Sequence, residues 1–587
     1  GTDHDRVVFL ELTHGAWLMW VNRLDFMGNA GTAGKVPRLP GTLTGAHQGC
    51  TFAQPAPPEA TMHRLRLLLL TVVLIAAARP TGGWAQTTGL GSVSFPNSGA
   101  PRAQAPFLRG LALLHSFEYV DAAEAFREAQ RVDSGFAMAY WGEALTYDHP
   151  IWGEHDSTAA RAALARLGNG TEARVARGGN ARERAYLGAV EALYGKGELK
   201  ERRRAYEDAM ARIQEDYPTD LEGASLRALA LLSLRMGGKS DLRPSVQAAA
   251  IVEDVLRRNP THPGATHYLI HAYDDPLLAP LGLPVARRYA RIAPKAEHAL
   301  HMPSHIFVHL GLWDDVVSSN EAAWTASKAW VKRKGRPNED LDLHAAAWLH
   351  YGYLQQGRYA RAKALSDSLG ALFLETDQPG PVRHYLTMVS CQNVVETRRP
   401  DSTPGVVPRP WEQVLQAASG AMPRGDSASV AAAVAGFRLR ADTIAGHHGH
   451  MPPGVRAFER ILTAMDARIR GRNEEAVAAL TEAAALEEER SQVGPPIDPT
   501  ARELLADLLL EMGRFQVAAA AYDTALQRTP LRSPVLLGRA RAAAKSGDRE
   551  GAAHWYGLLA RNWKAADPDL PELAEVRAEA KGARASR

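Results

Sequence analysis

The feature that most constrains this chain is a spacing. Near the C-terminus, "EMGRFQVAAAAYDTAL" is followed by "KSGDREGAAHWYGLL", and Gly513, Ala518 and Tyr522 recur as Gly547, Ala552 and Tyr556, each 34 residues on. Two antiparallel helices that repeat need a turn between them, a small residue where they cross and a bulky residue to fill the gap to the next pair. Glycine, alanine and an aromatic at these offsets supply all three. Pro530 ends the second helix of the first copy.

The same phase recurs upstream. "LHSFEYVDAAEAFREAQRVD" carries Tyr119, Ala122, Phe126 and Ala129, and "AMAYWGEAL" starts the next unit with Tyr140 and Ala144. Phe307, Gly311, Trp313 and Ala323 mark another unit, then Tyr353, Gly357, Tyr359 and Ala362, then Gly471, Ala476 and Ala483. Alanine is abundant, which favours helix, and no strand pattern stands between these segments. The pattern resembles the tetratricopeptide repeat (TPR). That resemblance implies an all-α fold: an α-solenoid of antiparallel helix pairs wound into a right-handed superhelix. Two positions depart from the pattern, with Phe117 where glycine is usual and Val316 where alanine is usual.

The rest of the 587 residues divides around this array. Met62 opens "MHRLRLLLLTVVLIAAARPTGGWAQ", with a basic start at Arg64 and Arg66, an apolar run from Leu67 to Ala78, and small residues before Ala85. This pattern predicts a secretory signal over 62–85 that is cleaved after Ala85. The apolar run is too short to span a bilayer comfortably, so no stable membrane span is expected after cleavage, and the mature protein is expected to be periplasmic or secreted. Residues 1–61 show no periodicity and read as a disordered, non-native upstream segment. Residues 86–105 read as a linker, 106–396 as an N-terminal TPR-like solenoid, 397–415 as a Pro/Arg-rich linker and 416–587 as a C-terminal TPR-like solenoid. A net charge of only +3 argues against nucleic acid as a partner. The two cysteines, Cys50 and Cys391, cannot build a disulfide framework. Metal chemistry would therefore fall to His, Asp and Glu.

Histidine is where the repeat phase becomes chemically specific. "HPGATHYLIHAYDD" (262–275) and "EHALHMPSHIFVHLG" (297–311) place His267 and His271 in one unit, and His301 and His305 exactly one repeat later. Each pair is four residues apart and so shares one helix face. In the repeat family the first helix of each pair lines the concave surface, which implies a histidine-lined groove. The four rings are expected to form a rectangle there, with Asp274 as a further ligand. His298, His309 and His344 fall at neighbouring groove positions, as do Trp141, His115 and the Asp148–His149 pair. Paired imidazoles suit a divalent transition metal such as Zn, Fe, Cu or Mn. HExxH is absent, so no zincin-type base is present. "GGKS" (237–240) lacks the first glycine of a phosphate loop, and "HHGH" (447–450) reads as a solvated turn.

Several of these segments together, from "HSFEYVDAAEAFREA" to "NWKAADPDLPEL", are similar to a group of bacterial exported TPR proteins of unknown activity. The resemblance implies the fold and the groove histidines, and supplies no substrate. Two functions follow as expectations. The first is a scaffold that binds an unknown protein or peptide in its groove. The second is a metalloprotein, a carrier or a metal-dependent enzyme, built on His267, His271, His301 and His305. No catalytic base stands out, which leans against an enzyme.

Overall fold

The computed structural model describes residues 85–235, 241–376, 380–397, 427–448, 453–489, 494 and 500–585. The expected upstream segment, the signal before Ala85, the phosphate-loop-like 237–240 and nearly all of the 397–415 linker lie outside the described residues. Within them the chain is a succession of antiparallel helix pairs. The sequence phase sets their bounds: helices occupy Gln104–His115, Tyr119–Val132, Pro263–Ala272, Trp313–Lys334, Leu343–Gln355, Phe515–Arg528 and Ser533–Ser546, among others. Strand occurs only as two short antiparallel pairs among the described residues. Ala85–Thr87 pairs with Gly91–Val93, and Asp148–His149 pairs with Glu154–His155. No described helix is long and apolar enough to cross a membrane.

Small and large residues pack as the repeat demands. A Cβ on Gly142 would stand 2.4 Å from the Phe126 ring, and one on Gly538 would stand 2.3 Å from Tyr522. In both places the aromatic precedes the glycine by 16 residues. Each ring fills the space between one helix pair and the next, and only a glycine lets it fit. Phe126 and Tyr522 are fully buried, which by area is worth about 2–3 kcal/mol each.

The N-terminal hairpin is fastened to the middle of the chain. Ser92 N–H donates to the Thr261 carbonyl at 3.0 Å, and Asn259 Nδ2 donates to the Ser92 carbonyl at 2.9 Å. This holds the turn that opens the helix Pro263–Ala272. Pro263 stands at its first position, where its missing N–H costs nothing, and His262 Nδ1 caps it by accepting the Ala265 N–H at 3.0 Å.

The segments on either side of the expected 397–415 linker meet through a buried charge cluster. Arg532 donates to Glu503 at 2.8 Å, to Glu396 at 2.5 Å and to the Tyr351 hydroxyl at 2.6 Å. Ser533 is bound twice to Gln355, through the amide side chain at 2.9 Å and the carbonyl at 2.6 Å. Breaking such a buried cluster from one side leaves a charge uncompensated and costs about 3–5 kcal/mol. Cys391 is buried.

One turn is built against the preference of its residue. Gly311, Gly357, Gly471 and Gly513 occupy the left-handed position between the helices of their pairs, at φ from 65° to 77°. Phe117 fills the same slot at φ 59°. A side chain there costs on the order of 1–3 kcal/mol. Phe117→Gly and Phe117→Ala both remove the ring, but only glycine removes the strain. The glycine variant should therefore be the more stable by about 1 kcal/mol in denaturant unfolding. The opposite order would show that this backbone is unstrained.

Candidate metal centre

The histidines predicted from the repeat phase converge, and they are joined by two more. His267, His271 and His298 form one group, and His301, His305 and His344 form a second; in each, one ligand atom per residue lies within 4.8 Å of the others. The two groups are contiguous. Ring centroids run His267–His271 4.8 Å, His271–His305 5.6 Å, His305–His301 5.0 Å, His301–His298 5.7 Å and His298–His267 5.0 Å, closing a circuit. His344 stands 4.7 Å from His301 and 5.9 Å from His305. The expected rectangle of four is thus a cluster of six. The sequence singled out His298 and His344 only as groove neighbours.

The helix carrying His298, His301 and His305 is interrupted. Glu297–His301 and Pro303–His309 are separated by Met302, because Pro303 has no N–H to donate back into the helix. Met302 keeps right-handed helical angles (φ −52°, ψ −35°), so His301 and His305 still share a face.

Hydrogen bonds on the far side of three rings fix which nitrogen is bare. His267 Nδ1 donates to the His115 carbonyl at 2.8 Å. His305 Nδ1 donates to Asp274 Oδ2 at 2.7 Å. His301 Nδ1 donates to Asn320 Oδ1 at 2.6 Å. Asn320 can only accept there, because its Nδ2 donates to the Val316 carbonyl at 2.8 Å. A carbonyl or carboxylate accepts only, so in each neutral ring Nε2 carries a lone pair. His301 Nε2 and His305 Nε2 face each other at 3.0 Å. In the first group, His267 Nε2, His271 Nε2 and His298 Nε2 are all buried without a hydrogen-bond partner among the described residues. Buried polar atoms are normally satisfied, and these five nitrogens, three of them unpartnered, are the atoms that could hold a metal ion.

Burial keeps five of the six rings neutral. It lowers the His267 and His344 pKa values to about 3 and holds His271, His298 and His301 well below the ordinary histidine range. Neighbouring imidazoles add to the effect in His271, His298 and His301. The aromatic walls that exclude water are residues the repeat phase did not mark for this role. Phe117 lies 4.3 Å from His267 and stacks on His271 and His298 at 5.8 and 5.6 Å. Trp348 lies 4.2 Å from His305. Trp152, 41% exposed, meets His298 edge-on at 5.4 Å. The cluster is consequently enclosed by aromatic side chains, an enclosure termed the histidine chamber, rather than lining an open groove.

Other expected site residues take different places. Asp274 is a support and not a free ligand, because both of its oxygens are engaged, by His305 Nδ1 and by His309 Nε2 at 2.9 Å. Burial alone would raise its pKa; the two imidazoles outweigh that and hold it well below the carboxylate range. His309, 1% exposed, is the second anchor of that carboxylate. Trp141 does not line a groove: it is fully buried, with Phe95 stacked at 5.4 Å and Tyr186 edge-on at 5.3 Å. His115 is enclosed in a separate network, bound to Glu222 at 2.6 Å and to the Tyr268 hydroxyl at 2.9 Å. Asp148 is paired with His155 and Arg203 at 2.7 and 2.9 Å. His149 stacks on Tyr119 at 3.9 Å and reaches Trp152 at 5.9 Å. His447 and His448 end the helix Ser427–His448 instead of forming a turn; His450 lies outside the described residues. Asn320 escaped sequence reading altogether. Its one signal is a polar residue on the buried face of "VVSSNEAAW".

With the geometry in view, the comparisons with known proteins are brief. Residues 461–530 and 503–571 match the tetratricopeptide repeat family model, so this part of the chain consists of such repeats. Solved structures with a similar succession of helices include the human IFIT1 dimer with m7Gppp-AAAA, at 14% identity and a TM-score of 0.30 over 84% of this chain and 91% of that one. The P58(IPK) TPR domain is 12% identical, with a TM-score of 0.20 over 76% of this chain and 98% of that one. Yeast Tom70 is 12% identical, with a TM-score of 0.24 over 83% of this chain and 96% of that one. Likenesses this distant say nothing about a ligand. No curated protein matches the chain in sequence.

The depressed pKa values carry a sign. Folded, metal-free His267 takes up a proton only near pH 3, whereas in the unfolded chain it does so near the ordinary histidine value of 6.5. Below pH 6.5 the unfolded chain therefore binds more protons, and stability falls as pH drops toward 3. This one ring contributes up to about 1.4 kcal/mol per pH unit. Melting temperatures of the metal-free protein should fall between about pH 7 and about pH 4, and less steeply for His267→Gln. Equal slopes for the two proteins would mean that His267 is not held neutral.

Proposed function

We propose that this is an exported helical-repeat protein that holds transition-metal ions in its histidine chamber. One observation carries the reading: His301 Nε2 and His305 Nε2 stand 3.0 Å apart, while both Nδ1 atoms are committed to acceptors behind them. With both rings neutral, two lone pairs face and repel each other at that distance, and a cation bound by both removes the repulsion. The outer partners Asp274 and Asn320 are what metal-binding imidazoles need, since they fix the tautomer and raise ligand basicity. Export is supported by the signal pattern of Met62–Ala85. A periplasmic or secreted location follows from it, and fractionation of cells that express the full chain checks it.

A second role is compatible and resides elsewhere in the chain. Tetratricopeptide repeats are interaction modules. An open groove of about 550 Å³ lies partly on the matched region, lined by its Asp507, Tyr522, Arg541 and Tyr556 and by Tyr359 and Glu575 from outside it. A protein or peptide partner would bind there while the histidines hold an ion.

Protein purified without an affinity tag should carry transition metal by elemental analysis, and His301→Ala/His305→Ala should lose it. Asp274→Asn should keep the helical fold by circular dichroism and bind metal roughly 10–100-fold more weakly. Equal, near-zero metal in wild type and double variant after reconstitution would sink the proposal.

A further inference from the structure

We infer that the two histidine groups form a single dinuclear centre, which takes two copper ions and binds dioxygen between them. This rests on the reading of the six rings as ligands and says which ions they hold and what the ions do.

The first argument is adjacency. The five-ring circuit has no gap above 5.7 Å, and its longest steps, His271–His305 and His298–His301, join one group to the other. Two three-ligand ions held there would be neighbours sharing one chamber. Three protein donors per ion leave positions open on each, and those positions face inward because the outer sides of three rings are tied to backbone, Asn320 and Asp274.

The second argument is charge. Every donor is an imidazole, and the carboxylate bound to the rings themselves, Asp274, lies behind His305 with both oxygens engaged. Two divalent ions would bring four positive charges into a buried site whose donor set carries no charge of its own. Two Cu(I) ions bring half of that, which lowers the desolvation penalty accordingly. Imidazole donors suit copper, and copper stands at the top of the affinity order for divalent first-row metals.

The third argument is the bite. With metal–nitrogen bonds of about 2.0–2.1 Å, nitrogens 3.0 Å apart subtend roughly 90–95° at an ion, nearer the tetragonal geometry of Cu(II) than the tetrahedral geometry of zinc. The pair can therefore be oxidised in place.

The reaction balances without another reagent. Each Cu(I) gives up one electron, and dioxygen accepts the two. The oxygen–oxygen double bond becomes a single bond, and the resulting peroxide bridges two Cu(II) ions. No proton is consumed. The surroundings suit a small, uncharged diatomic: Phe117 and Trp348 pack apolar rings on the histidines, and Trp152, partly exposed, meets His298.

The test uses the full tag-free protein, loaded with Cu(I) under anaerobic conditions and then exposed to dioxygen. Two coppers per chain are expected by native mass spectrometry. After oxygenation the Cu(II) pair should be silent in electron paramagnetic resonance through spin coupling. Acid quenching should release one hydrogen peroxide per two coppers. His298→Ala and His344→Ala, which each remove one ligand from one group, should give an ordinary signal of isolated Cu(II) and no peroxide. Should either variant fail to fold, the wild-type spectrum still decides. A wild type with two separate Cu(II) signals, or with only one copper, overturns the dinuclear centre and leaves metal binding intact. A wild type that binds zinc but no copper does the same. A protein that binds no metal at all removes both readings.

Discussion

A buried carboxylate with two imidazoles on it organises the centre of this molecule. Asp274 follows one repeat helix, while His305 and His309 sit on the next. An unpaired carboxylate at that depth would cost several kcal/mol, so the two repeats are obliged to pack at the separation that lets both rings donate. That one obligation sets the tautomer of His305 and aims its free nitrogen inward. It also holds the proline-broken segment Pro303–His309 against its neighbour. Asn320 does the same for His301 from a third helix, and the His115 carbonyl for His267 from a fourth. The chamber is therefore shaped from outside, by groups that no ion would touch.

The repeat spacing made the helix pairs legible, because crossing geometry depends on residue size, and size is written in the sequence. Gly142 under Phe126 and Gly538 under Tyr522 are the same contact read twice. The spacing also made four of the six rings legible, since His267, His271, His301 and His305 recur one repeat apart. The spacing placed His298 and His344 only as groove neighbours of the four. That each completes a group of three is decided by how neighbouring helices pack, and the packing is not written in the spacing. The placing of Trp141 and His115 failed for a related reason. A nominal groove position faces a groove only where nothing packs upon it, and here the N-terminal segment does: Phe95 covers Trp141 and Ser94 binds Glu222, the partner of His115. Asn320 was illegible because one amide in a helix carries no period.

Phe117 shows the sequence pattern broken for a purpose. Every comparable turn named above uses glycine, and glycine would be cheaper here by the strain of the left-handed backbone. The phenyl ring contacts three of the histidines, His267, His271 and His298, and seals them from water. Dryness of the chamber is thus maintained at the expense of an awkward turn, and the low basicity of the rings follows from it.

The helix Leu343–Gln355 is held at both ends. Near its start it presents His344 and Trp348 to the ligand cluster. Near its end, Tyr351 and Gln355 hold Arg532 and Ser533 of the C-terminal repeats. A rod gripped at both ends cannot shift at one without working against the other. Whatever tightens the C-terminal seam narrows the range of positions open to His344, and an ion gripping His344 steadies the seam by the same free energy. On the proposed function, ion retention and the integrity of the C-terminal half are two readings of a single equilibrium.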